Sequence, residues 1–212
     1  MTRNPEQNQR LRDERREKIL SHALRLFAAK GLTATKVSDI AEAAEMSQGL
    51  MYHYFSSKED IYTELIRRAF KLMNEAALGL EALPISPREK IEMALRQLVK
   101  GIEEGDSFAR TVLFNAQAGV SEDTPAEARA ILDAESMVPY GVIERIMRAG
   151  QQDGSIKPHD PQELSVVFWT TIKGLALHKA VYGDAFKAPD VRILTSMFFA
   201  GNGDGEQGER DG

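Results

Sequence analysis

Apolar residues recur along the first third of the chain at helical spacing. Ile19, Leu20, Ala23, Leu24, Leu26 and Phe27 lie on one face of a 3.6-residue repeat. They predict a first helix over residues 10–30 that Gly31 stops. Val37, Ile40, Ala41 and Ala44 follow at the i, i+3, i+4, i+7 spacing and predict a second helix, with Thr35 as its N-cap. Ala41 and Ala44 are small enough for a neighbouring helix to cross closely. Ser47 is placed to cap a third helix over residues 48–54. Two helices joined by a turn of a few residues make a helix-turn-helix, whose second helix enters the major groove of DNA. Ser57 then caps a helix over residues 58–80, with Glu59 and Asp60 in the first turn, where the helix dipole favours acids.

The Leu83-Pro84-Ile85-Ser86-Pro87 stretch closes this module, and the chain beyond it is helical again. Ser86-Pro87 opens a helix to about residue 104, Gly105 and Asp106 separate it from a helix over residues 107–119, and Thr124-Pro125 opens a stretch to residue 152. Pro139 must kink or break that stretch. Asp160-Pro161 starts a helix to residue 182, and Pro189 starts a last one to residue 200. With no convincing strand pattern, the fold class is all-α: an N-terminal helix-turn-helix domain of three helices and a C-terminal helical domain. The expected boundaries are a disordered N-terminus at residues 1–9, the helix-turn-helix domain at 10–56, a connecting helix at 57–80, the C-terminal helical domain at 81–200, and a disordered Gly-rich tail at 201–212.

At 42% hydrophobic and 28% charged residues, the composition is that of an ordinary globular chain rather than a disordered one. The absence of cysteine excludes disulfides, thiol nucleophiles and thiolate metal sites and fits a reducing cytoplasm. Residues 2–18 are too polar for a signal peptide, and no apolar run is long enough to span a membrane. A net charge of −5 argues against a DNA binder until its distribution is read. Residues 1–36 hold nine Lys and Arg against four acids, whereas residues 81–212 carry −7. Such asymmetry is a nucleic-acid signal, and the acidic remainder repels DNA and confines contacts to one end.

On the third helix the polar face carries Gln48, His53 and Tyr54, with Tyr52 close by. Phosphate positioning and base reading need different groups. Tyr52 and Tyr54 carry hydroxyls suited to phosphate oxygens. Lys58 begins the fourth helix, where its ammonium and the exposed backbone N–H groups can clamp a phosphate together. Thr35 and Ser38 can do the same from the other side of the groove. Gln48 and His53 are the candidate base readers, with Ser47 and Leu50 beside them, since glutamine pairs well with adenine. Gly49 lets backbone and groove approach closely. Met51 and Phe55 read as core. No catalytic constellation stands out. The tail spells G-x-G-x-x-G at residues 203–208, but without the strand and helix that a dinucleotide site needs. His22, His159 and His178 form no metal-ligand spacing, and no metal or cofactor is expected.

Residues 163–182 are apolar nearly all round, so this helix must be buried on several sides. Gly174, Leu177 and Val181, with Leu194 and Phe198 from the last helix, are the candidate dimer interface. Two such helices from each of two subunits make a four-helix bundle; the alternative is that they only complete the protomer's own core. Phe108, Thr111, Phe114, Met137, Tyr140, Phe168 and Trp169 are candidates for an effector pocket, apolar with a few polar anchors. Core packing gives the same list.

The combination of Phe27, Gly31, Thr35, Ile40-Ala41, Ala44, Ser47, Gly49, Tyr52, Tyr54-Phe55, Lys58 and Leu65 resembles the TetR family of bacterial transcription regulators, over roughly the first quarter to third of the chain. The resemblance implies phosphate contacts at Thr35, Tyr52, Tyr54 and Lys58, a two-fold dimer matched to a palindromic operator of double-stranded DNA, and repression relieved by a small-molecule effector. It implies a bacterial, cytoplasmic protein that is not an enzyme. The alternative is a DNA-bound scaffold of the same fold that recruits a protein partner and has no effector. The chain departs from the family in one place: Glu45 stands at the turn where glycine is usual.

Overall fold

The computed structural model describes residues 5–200. Ten α-helices make up the described chain: α1 (Pro5–Ala34), α2 (Val37–Ala43), α3 (Gln48–Met51), α4 (Lys58–Ala82), α5 (Pro87–Glu104), α6 (Asp106–Val120), α7 (Ala126–Glu135), α8 (Val138–Gln152), α9 (Pro161–Tyr182) and α10 (Val191–Ser196). A 3-10 turn at Gly183–Ala185 follows α9. The all-α expectation is met. No described helix is long and apolar enough to cross a membrane. Residues 5–9, expected to be disordered, are the first turns of α1, because nothing in Pro5–Arg10 breaks a helix once proline occupies its first position. Residues 1–4, the tail at 201–212 and its glycine motif lie outside the described residues.

Helix α1 is interrupted where the sequence indicates. Gly31 has φ 76° and ψ 176°, outside helical space, although the backbone resumes a turn to Ala34. Pro139 breaks the 125–152 stretch into α7 and α8 and sits in the first turn of α8, where its missing N–H costs no hydrogen bond. Ser86 and Glu89 form a reciprocal capping box on α5, and Asp160 accepts from Gln162 and Glu163 to cap α9.

The chain forms two compact units. The first comprises residues up to Lys71 together with Arg110–Ala134; the second comprises Leu72–Ala109 and the residues from Glu135 onward. This division differs from a boundary near residue 81, and side-chain packing gives the reason. Phe27 on α1, Tyr62 on α4 and Phe114 on α6 form one aromatic cluster, with ring centroids 5.2, 4.7 and 6.2 Å apart. Thr33 donates to Asp123 at 2.7 Å, and Gln117 donates to the Ala28 carbonyl at 3.3 Å. Residues 110–134 therefore complete the core under the helix-turn-helix.

In the second unit, α8 packs along α9 and α5. Its core includes Ile91, Leu95, Val142, Ile146, Phe168 and Phe198. Gly150 lets α8 approach the chain that follows it. A Cβ built there would lie 2.5 Å from Ile156 Cδ1 and 3.1 Å from Pro87 Cβ. Ile156 and Phe199 form an isolated antiparallel bridge that ties the chain after α10 to the α8–α9 connection.

Candidate nucleic-acid interface

The helix-turn-helix is built on four buried anchors. Ile40 and Ala41 of α2 and Met51 of α3 are almost wholly removed from solvent, as is Phe55, which follows α3. The Arg16 guanidinium lies 4.9 Å from the centroid of the Phe55 ring. Between α2 and α3 the backbone makes a complete Schellman turn: Met46 N–H donates to the Ala41 carbonyl at 3.0 Å and Glu45 N–H to the Glu42 carbonyl at 2.9 Å. That motif needs a left-handed residue, and Glu45 supplies it with φ 57°, the one positive-φ residue other than glycine among the described residues. The Lys18 ammonium holds the Glu45 carboxylate, and its hydrogen bond lowers the carboxyl pKa below the usual range. The departure from glycine thus preserves the turn.

Ser47 caps α3 as expected, its hydroxyl oxygen accepting from Leu50 N–H at 3.2 Å. The helix itself is shorter than the predicted 48–54. Regular α geometry ends at Met51, and His53 and Tyr54 close tighter turns onto the Leu50 and Met51 carbonyls. Ser47, Gln48, Gly49, Tyr52 and His53 are exposed, and Tyr54 is half-buried. Nothing lies within 4 Å of a Cβ built on Gly49, so the protein's own packing does not require glycine there. Ser38 is half-buried, 3.5 Å from Asp39, which is itself paired with Lys30.

Two residues expected at phosphates bond to the protein's own backbone. Thr35 has no exposed surface; its hydroxyl donates to the Gly31 carbonyl at 2.7 Å and its N–H to the Leu32 carbonyl. It is not the cap of α2 either, since Lys36 holds that position without a side-chain bond. Thr35 instead secures the backbone after the break at Gly31. The Lys58 ammonium donates to the carbonyls of Leu32, Thr33 and Thr35 at 2.9, 3.3 and 3.0 Å. An ammonium has three N–H groups, and all three are taken by the protein. Lys58 therefore ties the start of α4 to the end of α1.

The positive excess of residues 1–36 is also partly spent internally. Arg16 pairs with Glu64, Lys18 with Glu45 and Lys30 with Asp39. Glu64 further accepts from Arg67 and Arg68. Burial opposes ionisation of Glu64, but hydrogen bonds from Arg16, Arg68 and Arg67 outweigh it and hold the carboxyl below its usual range. Exposed Lys36, at the start of α2, is a cation that sequence reading counted only in the charge tally.

In the second unit, Gly174, Leu177 and Val181 are exposed on α9, in line with Val166, Val167 and Thr170. Leu194 and Phe198 are not at this surface. Both are buried, with Phe198 6.0 Å from the Phe168 ring, and α10 instead exposes Ile193 and Met197. The expected effector-pocket residues are divided between the two units. Phe114 belongs to the aromatic core of the first unit, which also holds Thr111, and Met137 is exposed because it precedes the first turn of α8. Phe108, Tyr140, Phe168 and Trp169 lie in the second unit. There the rings of Tyr140 and Phe168 flank Trp169 at 5.9 and 5.3 Å, and Trp169 Nε1 is buried with no hydrogen-bond partner among the described residues.

The family profile described as bacterial regulatory proteins, tetR family, matches residues 19–65, the segment that carries α2, α3 and their buried anchors. The chain is 43% identical over 154 residues to the HTH-type transcriptional repressor KstR2 of Rhodococcus jostii, covering 73% of this chain and 74% of that one. Matches to other curated relatives span as little as 40% of the relative's length. Among solved structures, the ketosteroid transcriptional regulator KstR2 of Mycobacterium tuberculosis superposes with a TM-score of 0.72 at 20% identity, over 88% of this chain and 96% of that one. AibR in complex with isovaleryl coenzyme A and operator DNA superposes with a TM-score of 0.67 at 22% identity, over 86% and 97%. The chain belongs to the TetR family of bacterial regulatory proteins and is a helix-turn-helix transcription regulator.

Proposed function

We propose that this chain is a cytoplasmic transcriptional repressor that binds a palindromic operator as a two-fold dimer and is released by a small apolar effector. One observation carries the DNA-binding half: the short α3 exposes Ser47, Gln48, Gly49, Tyr52 and His53 while Met51 and Phe55 anchor it from behind. Gln48 and His53 read base edges, with Ser47 and Gly49 against the groove floor. Tyr52, Tyr54 and Ser38 bind phosphates. The exposed α9 stripe of Val166, Thr170, Gly174, Leu177 and Val181, joined by Ile193 and Met197, is the dimer seam. It sets two α3 helices about 34–36 Å apart, the spacing of successive major grooves.

The effector half rests on Trp169. A buried indole N–H without a partner is costly unless something accepts from it. An apolar ligand carrying a carbonyl or carboxylate oxygen fits Trp169 and the neighbouring Tyr140 ring. AibR, which shares the fold, is described with isovaleryl coenzyme A, an acyl thioester, and KstR2 as a ketosteroid regulator; the isovaleryl group and a ketosteroid are each an apolar moiety with a carbonyl oxygen.

The test begins with a site selected from random duplexes. Gln48→Ala and His53→Ala should each lose about 1–3 kcal/mol on that site and little on random DNA. Equal losses on both would remove these residues from base reading. If a thorough ligand screen releases no DNA, the chain is a DNA-bound scaffold without an effector.

A further inference from the structure

We propose that the second unit carries a binding site for a phosphate monoester or diphosphate group of a small organic molecule, formed by Arg88, Lys157 and Arg192 over the Phe199 ring. An open surface pocket of about 400 Å³ is lined by these residues with Thr195 and Ser196, a volume within the range of small-molecule sites. The cations come from three separate places: the first turn of α5, the α8–α9 connection and α10.

Their positions are fixed by backbone. Lys157 N–H donates to the Phe198 carbonyl at 2.9 Å and Ala200 N–H to the Ser155 carbonyl at 3.2 Å, tying the connection to the segment after α10. The Lys157 ammonium spends one N–H on the Ser196 carbonyl at 2.9 Å and keeps two. The Arg88 guanidinium lies 4.3 Å from the centroid of the buried Phe199 ring. That contact holds the guanidinium over the ring, and none of its N–H groups is bonded to a described residue. Thr195 and Ser196 donate their hydroxyl protons to the carbonyls of Arg192 and Ile193, so donors toward an anion come from the cations.

Charge selects the ligand. The pocket lining contains no acid. The neighbouring carboxylate is Asp190, and Arg192 grips it so firmly that its pKa falls to about 2. Asp190 offsets Arg192 and also feels Arg96, while no acid in the lining offsets Arg88 or Lys157, so the pocket keeps two uncompensated cations. A phosphate monoester or diphosphate carries two or more negative charges at one point, whereas a DNA phosphodiester carries one. Guanidinium forks match phosphate oxygens in bidentate geometry. The Phe199 ring at the floor suits an organic moiety behind the phosphate.

Titration calorimetry of the full chain with inorganic pyrophosphate, with sulfate at equal ionic strength as control, tests this site. The expected result is one site per chain, preference for pyrophosphate over sulfate, and affinity weakened about tenfold or more in Arg88→Ala, which removes an exposed side chain without disturbing a hydrogen bond. Lys157→Gln should weaken it similarly. Amide resonances of Thr195 and Ser196 should shift on titration in the wild type. Absence of binding at millimolar pyrophosphate would overturn the proposal, as would undiminished affinity in both variants. A salt slope of DNA binding that falls in Arg88→Ala would assign the pocket to DNA phosphates and overturn it as well. DNA affinity and salt slope that stay constant while pyrophosphate affinity drops support the small-molecule site.

Discussion

Replacing Lys58 with methionine separates two roles that a lysine beside a DNA-reading helix can have. Methionine keeps the apolar stem and removes the ammonium that caps the Leu32, Thr33 and Thr35 carbonyls. A hydrogen bond to a charged group is worth about 1.5–3 kcal/mol net when buried. Lys58 is half-buried, so water can reach the freed carbonyls and the three bonds do not add in full. We expect a total loss of about 2 kcal/mol, equivalent to a fall of roughly 4–8 °C in Tm for a chain of this size. Circular dichroism melting checks the stability, and DNA binding measured from low to high salt checks the interface. The slope of log affinity against log salt should be unchanged, because no phosphate contact is lost. Thr35→Val, which removes the hydroxyl bond to Gly31, should behave as a milder version with a loss of about 1 kcal/mol. An unchanged Tm together with a slope reduced by about one would refute the reasoning, since it would mean that the ammonium leaves its carbonyls for a phosphate.

Gly174→Arg places a charge in the exposed α9 stripe, where nothing within 4 Å obstructs a side chain in the protomer. Sedimentation should show native helicity with the dimer lost, and a variant that remains dimeric would move the seam elsewhere. The Glu64 carboxyl, held below its ordinary 4.5, contributes stability that is fully present above that value and is lost as pH falls through the lowered folded value. Urea midpoints at pH 7 and pH 3 should therefore converge in Glu64→Gln relative to wild type, and an equal acid loss in both would exonerate this cluster. Because Trp169 is the single tryptophan, an effector accepting from its indole N–H should change its emission and lower operator affinity at the same concentration. Ligands that alter emission while leaving DNA binding intact would break that link.

Element type was legible in the sequence because periodicity and caps point the same way. The α2 spacing, Ser47, Ser57, Ser86 and Asp160 each mark a helix start or face that the backbone honours. Direction was harder to read. Thr35 and Lys58 are the right residue types for phosphate contacts, yet both turn inward to backbone carbonyls set free by the break at Gly31. Residue type names what a group can bond, and carbonyls that the fold already holds in place compete with a phosphate for the same donor. Helix α10 shows the same limit. It has only six residues, so Leu194 and Phe198 cannot be phased against Ile193 and Met197 by periodicity alone. Phe114 could not be assigned because its partners Phe27 and Tyr62 are distant in sequence.

The aromatic cluster of Phe27, Tyr62 and Phe114 bears on how this regulator can be cut and rejoined. The family profile matches residues 19–65, but the compact unit that contains them also takes in residues 110–134. A chimera that grafts residues 1–80 onto a foreign sensing body discards Phe114 and bares the two rings it covers. Losing one buried phenylalanine costs about 3–5 kcal/mol, against a total stability of roughly 5–15 kcal/mol for a typical domain. The graft therefore needs the 110–134 segment as well, or a replacement helix presenting an aromatic ring to Phe27 and Tyr62. New specificities are more safely engineered by rewriting the exposed face of α3 in place than by exchanging the head.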